Sequence, residues 1–186
     1  IISFPLTLDI NSDNPPQIYL SFIWISTLLV TMLGTELIFS DDFEDGSLEQ
    51  YAVNNQLIEV VFYKILVHWA LIGIPLAFVA FIFILSLNIS IHISSIAFLC
   101  LIISNLIFIN FFSLGNALSL KKGSILGLLI TIPFLIPVLI VLGKITTSTL
   151  LGLSLVGHLS LLVGVMILVA SFIPFIISFI LRTHLE

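Results

Sequence analysis

Three carboxylates stand within five residues at Asp41, Asp42 and Asp45, and Glu36, Glu44 and Glu49 extend the group, so six of the ten acidic residues lie between positions 36 and 49. Clustered carboxylates can bind Mg²⁺ and, through it, the phosphate oxygens of a diphosphate. A different use is equally written in the run Gly46-Ser47-Leu48-Glu49-Gln50-Tyr51-Ala52. Ser47 and Gln50 have capping-box spacing, with Ser47 as N-cap and Gln50 at the third helical position. Gly46 permits a sharp entry, and acids near the first turn suit the positive end of a helix. A short helix is therefore expected from Leu48. Leu48, Tyr51 and Ala52 fall on one apolar side of it, while Glu49 and Gln50 point elsewhere. So short a helix is marginal in water and needs the ends of neighbouring helices or a partner surface. A solvated loop with one capped turn is the plainer account of the same residues.

A second constellation is Lys64, His68 and Trp69. Lys64 and His68 are one helical turn apart, and an ionisable residue inside an apolar run is a functional hypothesis by default. The plainer account of His68 is a hydrogen bond to a neighbouring helix. His158 is the other histidine inside an apolar run; His92 and His184 read as loop and terminal residues. Trp69 fits either a helix interface or the membrane interface. Cys100 is the single cysteine and reads as a small buried hydrophobe, with no disulfide and no metal pattern. The sequence has no G-x-x-x-x-G-K-[ST] loop and no Ser-His-Asp or Cys-His arrangement, so neither ATPase nor other enzymatic chemistry is expected of this chain.

The elements that must position these residues are apolar. The chain of 186 residues is 60% hydrophobic and 8% charged, with a mean hydropathy of +1.32. A soluble domain carries about 25% charged residues, so an integral membrane protein is expected. Five Lys and Arg in total cannot build a phosphate-binding stripe, which excludes a nucleic-acid partner.

Hydropathy divides the chain as follows. Residues 1–8 read as the tail of a helix whose start lies outside the sequence, and 9–16 as a polar turn ending in Pro-Pro. Spans are expected over 18–39, 57–85, 93–114, 124–142 and 156–181. The acidic loop occupies 40–56, and Lys121-Lys122-Gly123 marks another loop. Pro133 and Pro137 should kink their span. Residues 144–155 read as a connector with a short re-entrant turn. Gly123 and Gly127 have small-xxx-small spacing, common by chance in such a chain. Lys64, Lys121, Lys122 and Arg182 share one face of this arrangement, against Lys144 on the other. The positive-inside rule then places the acidic loop in the cytoplasm, or in the matrix of an organelle.

The run Asp41-Asp42-x-x-Asp45-Gly46-Ser47-Leu48-Glu49-Gln50 closely resembles the first cytoplasmic loop of the haem-exporter B subunit family of the cytochrome c maturation system. Further matches fall at Lys64, at His68-Trp69, at Gly73 with Pro75-Leu76, at Lys121 with Gly123, and at Pro133 and Pro137. The acidic-Gly-Ser-Leu-Glu core is shared with other ABC-2-type permeases. Val53-Asn54-Asn55 departs from the family's Leu/Pro-containing segment, and the family's elbow helix and most of its first span have no counterpart here. The resemblance implies an all-α ABC-2-type permease bundle. It would have six transmembrane helices when intact and five complete ones here, in a single membrane domain over 1–186. The loop at 40–56 would carry the cytoplasmic coupling helix. Asp41, Asp42, Asp45, Gly46, Ser47, Leu48, Glu49, Gln50, Tyr51 and Ala52 would then dock a separate ABC ATPase subunit, with Lys64, His68 and Trp69 as candidate functional residues in the membrane. It also implies a haem-handling C subunit, a small D subunit and a haem chaperone as partners. ATP would be used by the partner subunit, haem would be the handled ligand, and the location would be a bacterial inner membrane or, for an organelle-encoded chain, the mitochondrial one. Two alternatives remain. One is an ABC-2 exporter of lipid or drug. The other is an intramembrane prenyltransferase using Asp41-Asp42-x-x-Asp45, which would need a second acidic cluster that Asp9, Asp13, Glu59 and Glu186 do not form.

Overall fold

A computed structural model describes residues 16–120 and 124–185. The expectations for residues 1–15 and for the Lys121-Lys122-Gly123 loop lie outside the described residues. The chain is an all-α integral membrane protein. Its helices are α1 (Pro16–Gly34), α2 (Ser40–Glu44), α3 (Ser47–Val53), α4 (Leu57–His68), α5 (Ile74–Ser86), α6 (Ile91–Ser119), α7 (Ser124–Leu150) and α8 (Val156–Leu185), with a π-helical turn at Trp69–Gly73 joining α4 to α5. Five stretches are long and apolar enough to cross a bilayer: α1, α4 through α5, α6, α7 from Leu129, and α8. Successive crossings put residues 35–56, the end of α6 and the end of α8 at one end of the bundle.

The centre is α6. It packs against α1, α4, the π turn, α5, α7 and α8, and a helix so enclosed must be apolar on all sides. Ser90 caps it, its Oγ accepting from the Ile93 N–H at 3.4 Å. Ser104, Asn105, Asn110, Ser113, Asn116 and Ser119 are nonetheless fully or almost fully buried along it, which makes α6 a rod of hydrogen-bonding positions inside an apolar bundle. Its closest approach is to α7. A Cβ added at Gly127 would run into the Gly115 carbonyl oxygen and the Ser119 hydroxyl. Gly127 is therefore a contact glycine, and its partner lies on α6.

Two boundaries differ most from those expected. The first span ends at Gly34 rather than at 39. Beyond Gly34 the backbone tightens into turns, with Glu36 N bonded to Leu33 O, Ile38 N to Thr35 O and Ser40 N to Leu37 O. Ile38 and Phe39 are buried there, so their hydropathy serves to anchor the loop and not to lengthen the span. The connector expected at 144–155 is helical to Leu150. Thr146, Thr147 and Thr149 turn their hydroxyls back onto Leu142 O, Gly143 O and Ile145 O, so a threonine-rich stretch stays helical in an apolar setting. The turn is confined to 151–155, where Gly152 takes a positive φ of 66°. Helix α7 also runs through Pro133 and Pro137 without interruption. At the end of the bundle opposite the acidic loop, Trp24 Nε1 donates to Thr146 Oγ1 at 3.0 Å and Gln17 Nε2 to Thr147 Oγ1 at 3.2 Å, tying α1 to α7.

Candidate functional site

The acidic loop folds as two short helices at a sharp angle. Gly46 supplies the angle, with φ 79° in the left-handed region, where a side chain would be strained. Ser47 is the first residue of α3, one position earlier than expected, and the cap comes from another residue. Asp45 Oδ1 accepts from the Ser47 N–H at 2.8 Å, and no side chain caps from the Gly46 position. The expected Ser47–Gln50 capping box is thus replaced by an Asx-type turn from Asp45. Hydrogen bonds from the Ser47 hydroxyl and then the Ser47 N–H hold the Asp45 carboxyl below its ordinary pKa. The end of α3 is set by Asn54 and Asn55. Asn55 adopts φ 57°, which asparagine tolerates, and Gln56 N returns to Tyr51 O at 2.9 Å.

Burial differs along the apolar side of α3. Leu48 is 1% exposed and joins the core, Tyr51 and Ala52 are half-buried, and Glu49, Gln50 and Val53 are exposed, Val53 at 81%. Leu48 therefore anchors α3 to the core. The helical period put Leu48, Tyr51 and Ala52 together correctly, but it cannot say whether an apolar side faces the protein's own core or a partner. On its far side α3 lies against the end of α8, and Glu49, Ala52, Val53, Arg182 and Leu185 border a cleft between them.

Two cross-links fasten this loop to the spans. From α4, Lys64 Nζ reaches Asp42 Oδ2 at 2.5 Å and donates to Ile38 O at 2.8 Å, lying 5.9 Å from the centre of the Phe39 ring. From α6, Asn116 accepts the Phe39 N–H on Oδ1 at 3.1 Å, while its Nδ2 donates to Glu36 O and, at 3.2 Å, to Ser40 Oγ. Asn116 was not singled out in the sequence. Its one signal there is being an amide in an apolar run. With Asp42 committed to Lys64 and Asp45 to Ser47, the carboxylates do not converge. Among the described residues no group of three His, Cys, Asp or Glu is placed to hold a metal.

One turn beyond Lys64, the His68 ring Nδ1 lies 2.9 Å from Lys64 O. A carbonyl oxygen can only accept, so Nδ1 carries a proton. Immediately afterwards the α-helical ladder gives way to the π turn. Trp69 Nε1 donates to Ile102 O at 3.0 Å and Asn105 Nδ2 to Gly73 O at 2.8 Å, so both ends of the turn are pinned to α6. Trp69 is thus a helix-interface residue. Gly73 has no room for a Cβ, which would meet Trp69 Cδ1 at 2.9 Å and Asn105 Cβ at 3.2 Å. His158 begins α8 at the far end of the bundle and is not brought to His68. Cys100 is buried.

Lys64 and His68 border two clefts. One, of about 310 Å³, is polar and includes Glu36, Asp41 and Asp42. The other, of about 660 Å³, is lined by Tyr51, Gln56, Glu59, Val60, Tyr63 and Val67 as well. The second volume lies within the range of small-molecule sites, about 300–1,000 Å³.

Comparison with known proteins places this arrangement. The family described as CcmB protein matches residues 1–184. A relative named Heme exporter protein B from Pseudomonas aeruginosa is 32% identical over 181 residues, covering 96% of this chain and 81% of the relative. The protein of the same name from Haemophilus influenzae is 31% identical over 189 residues, covering all of this chain and 86% of the relative. The Escherichia coli protein of that name matches over a shorter region, 38% identical over 77 residues.

Proposed function

The chain belongs to the CcmB protein family, and on that premise we propose that it is the membrane subunit of a haem-exporting ABC transporter acting in cytochrome c maturation. In this reading the chain hydrolyses nothing itself. A separate ATPase docks in the cytoplasm on the loop at 40–56, and its closure is passed through α3 into the membrane. A haem-handling C subunit, a small D subunit and a haem chaperone complete the system, in a bacterial inner membrane or the mitochondrial inner membrane.

The observation that carries the proposal is the loop's construction. A coupling element must be exposed to its partner on one side and rigidly joined to the spans on the other. Glu49, Gln50 and Val53 are the exposed side of α3. Leu48 in the core, Lys64 on Asp42 and Asn116 on the Phe39 and Glu36 backbone are the joints. A push on α3 is thereby delivered to α4 and α6 together. Asp41, Asp42 and Asp45 shape and orient that element, and Tyr51 and Ala52 flank it. Permeases for lipid or drug could share this loop; the relatives named as haem exporters favour haem.

Co-purification tests the reading. The tagged protein should bring down an ATPase together with a haem-binding membrane subunit. Glu49→Arg with Val53→Asp should reduce ATPase recovery about tenfold while insertion and thermal stability stay unchanged. Undiminished recovery of the ATPase from this variant would overturn the docking face. Recovery of an ATPase with no cytochrome c maturation partner would favour a lipid or drug exporter.

A further inference from the structure

We infer that the π turn at Trp69–Gly73 is a register switch: it stores one residue, whose release turns α4 about its axis and replaces one apolar face of that helix by the next. The inference rests on the transporter reading above only for the force that drives it.

The stored residue has a local cause. Pro75 stands in the first turn of α5. A proline has no N–H, and its ring collides with the carbonyl four residues earlier, here that of Leu71. The π turn widens the backbone at that point, and the Ile74 N–H reaches back five residues to Trp69 O. Single π turns inside helices occur frequently at functional sites. The far end of this one is fixed, because Asn105 Nδ2 holds Gly73 O and the space around Gly73 is filled by Trp69 and Asn105. Movement therefore falls on α4.

Closing the turn to α-helical spacing leaves one residue fewer between α5 and any point on α4. Each site on α4 then passes to the following residue, a rotation of about 100° with a slide of about 1.5 Å toward the acidic loop. The buried row of α4 is Leu57, Val61 and Ile65. The residues that follow them are Ile58, Phe62 and Leu66, a second apolar row. Leu66 is 50% exposed before the turn. The row on the other side, Val60, Lys64 and His68, is ionisable, and the stored residue does not call on it. A helix with two adjacent apolar rows keeps its core contact when it turns in this one direction. The same motion takes Lys64 off Asp42 and the Ile38 carbonyl. It carries Lys64 to the exposed position of Tyr63, where its long stem lets the ammonium reach the membrane edge. The bond from Trp69 Nε1 to Ile102 O is given up. Helix α4 thus lets go of the acidic loop, while Asn116 keeps that loop on α6. Residues 54–56 alone join α3 to α4, so displacement of α3 away from the bundle pulls along the direction of the slide.

Phe62 meets Phe175 of α8 edge-on, with ring centres 5.9 Å apart, and after the turn Tyr63 occupies its place. The test is disulfide formation in the full-length protein with its ATPase in lipid nanodiscs, in a Cys100→Ala background. Phe62→Cys with Phe175→Cys reports the first register, and Tyr63→Cys with Phe175→Cys reports the turned one. An unfavoured state is populated to about 10% or less, so trapping with ATP and vanadate should raise the second cross-link about fivefold or more and lower the first. Pro75→Ala, at an exposed position, removes the cause of the π turn and should give the second cross-link without nucleotide. Deletion of Ala70, also exposed, removes the stored residue and should hold the first cross-link whatever the nucleotide, with insertion intact. The switch is overturned if the second cross-link stays at background in Pro75→Ala, or if it does not rise with nucleotide while the recovered ATPase is active. If no ATPase is recovered, the transporter reading fails, and Pro75→Ala, which needs no nucleotide, still decides the switch.

Discussion

Asn116 and Asn105 lie on the same helix, roughly 16 Å apart along α6, and both are completely buried. At the end of the bundle that carries the acidic loop Asn116 uses its whole amide: Oδ1 takes the Phe39 N–H, and Nδ2 serves Glu36 O and Ser40 Oγ. In the middle of the bundle Asn105 uses half of its amide. Its Nδ2 serves Gly73 O, and its Oδ1 has no protein partner among the described residues. The contrast follows the backbone each one holds. The turns at 35–39 leave peptide groups outside any regular helix, and buried groups of that kind must be matched one by one. The π turn keeps most of its ladder, and one external bond suffices to hold its end. A fully committed amide makes a rigid weld. A half-committed one makes a joint held by a single bond. The loop that would receive a push is welded, and the turn beside His68 is jointed.

The strongest way to break the comparison is Leu48→Asp. It places a charge in the core where α3 is anchored and should cost about 3–5 kcal/mol, seen as aggregation or a large loss of thermal stability in detergent. The exposed variants Glu49→Arg and Val53→Asp should show no such loss. Asn116→Leu comes next. It removes the Asn116 partner of the Phe39 N–H and of the Glu36 C=O, at about 1–3 kcal/mol for each group, and thermal unfolding should register a sum of about 2–6 kcal/mol. Asn105→Leu should cost far less, about 0.6 and at most about 2 kcal/mol, as interhelical bonds in membranes do. It also removes an oxygen that was unpaired. Equal losses for the two asparagine variants would dissolve the distinction between weld and joint.

The smallest effect concerns Asp45. Its pKa is depressed in the folded chain, so its contribution is fully present above the unfolded value of about 3.9 and is lost as pH falls through the lower folded value. Hydrogen exchange at the Ser47 amide should therefore be flat from pH 7 to 5 after correction for intrinsic rates, and protection should fall only in stronger acid. Asp45→Asn should abolish that acid step. A step at near-neutral pH would assign the cap to another group.

Much of this was legible because it is written in local chemistry. Asp45, Gly46 and Ser47 announce a turn into a helix, and that turn forms, although the aspartate and not the serine provides the cap. The spans from Leu57, Ile91 and Val156 follow from apolar length. What local chemistry could not settle is where an apolar side chain goes. Ile38, Phe39 and Leu48 read as span or as contact surface, and the fold uses all three as anchors. Threonines 146, 147 and 149 read as a polar connector because a hydropathy reading does not know that each hydroxyl can be satisfied by the turn before it.

The sequence by itself determined that the chain lives in a membrane, where its polar island lies along the chain, and which helical turn carries Lys64 and His68. These follow from composition and from periods of a few residues. Only the tertiary structure decided that Leu48 faces inward, that Asn116 welds the island to α6, and that Gly127 meets Gly115. Each of those joins residues distant in the chain, and no periodicity within one segment encodes the neighbour that another segment will bring.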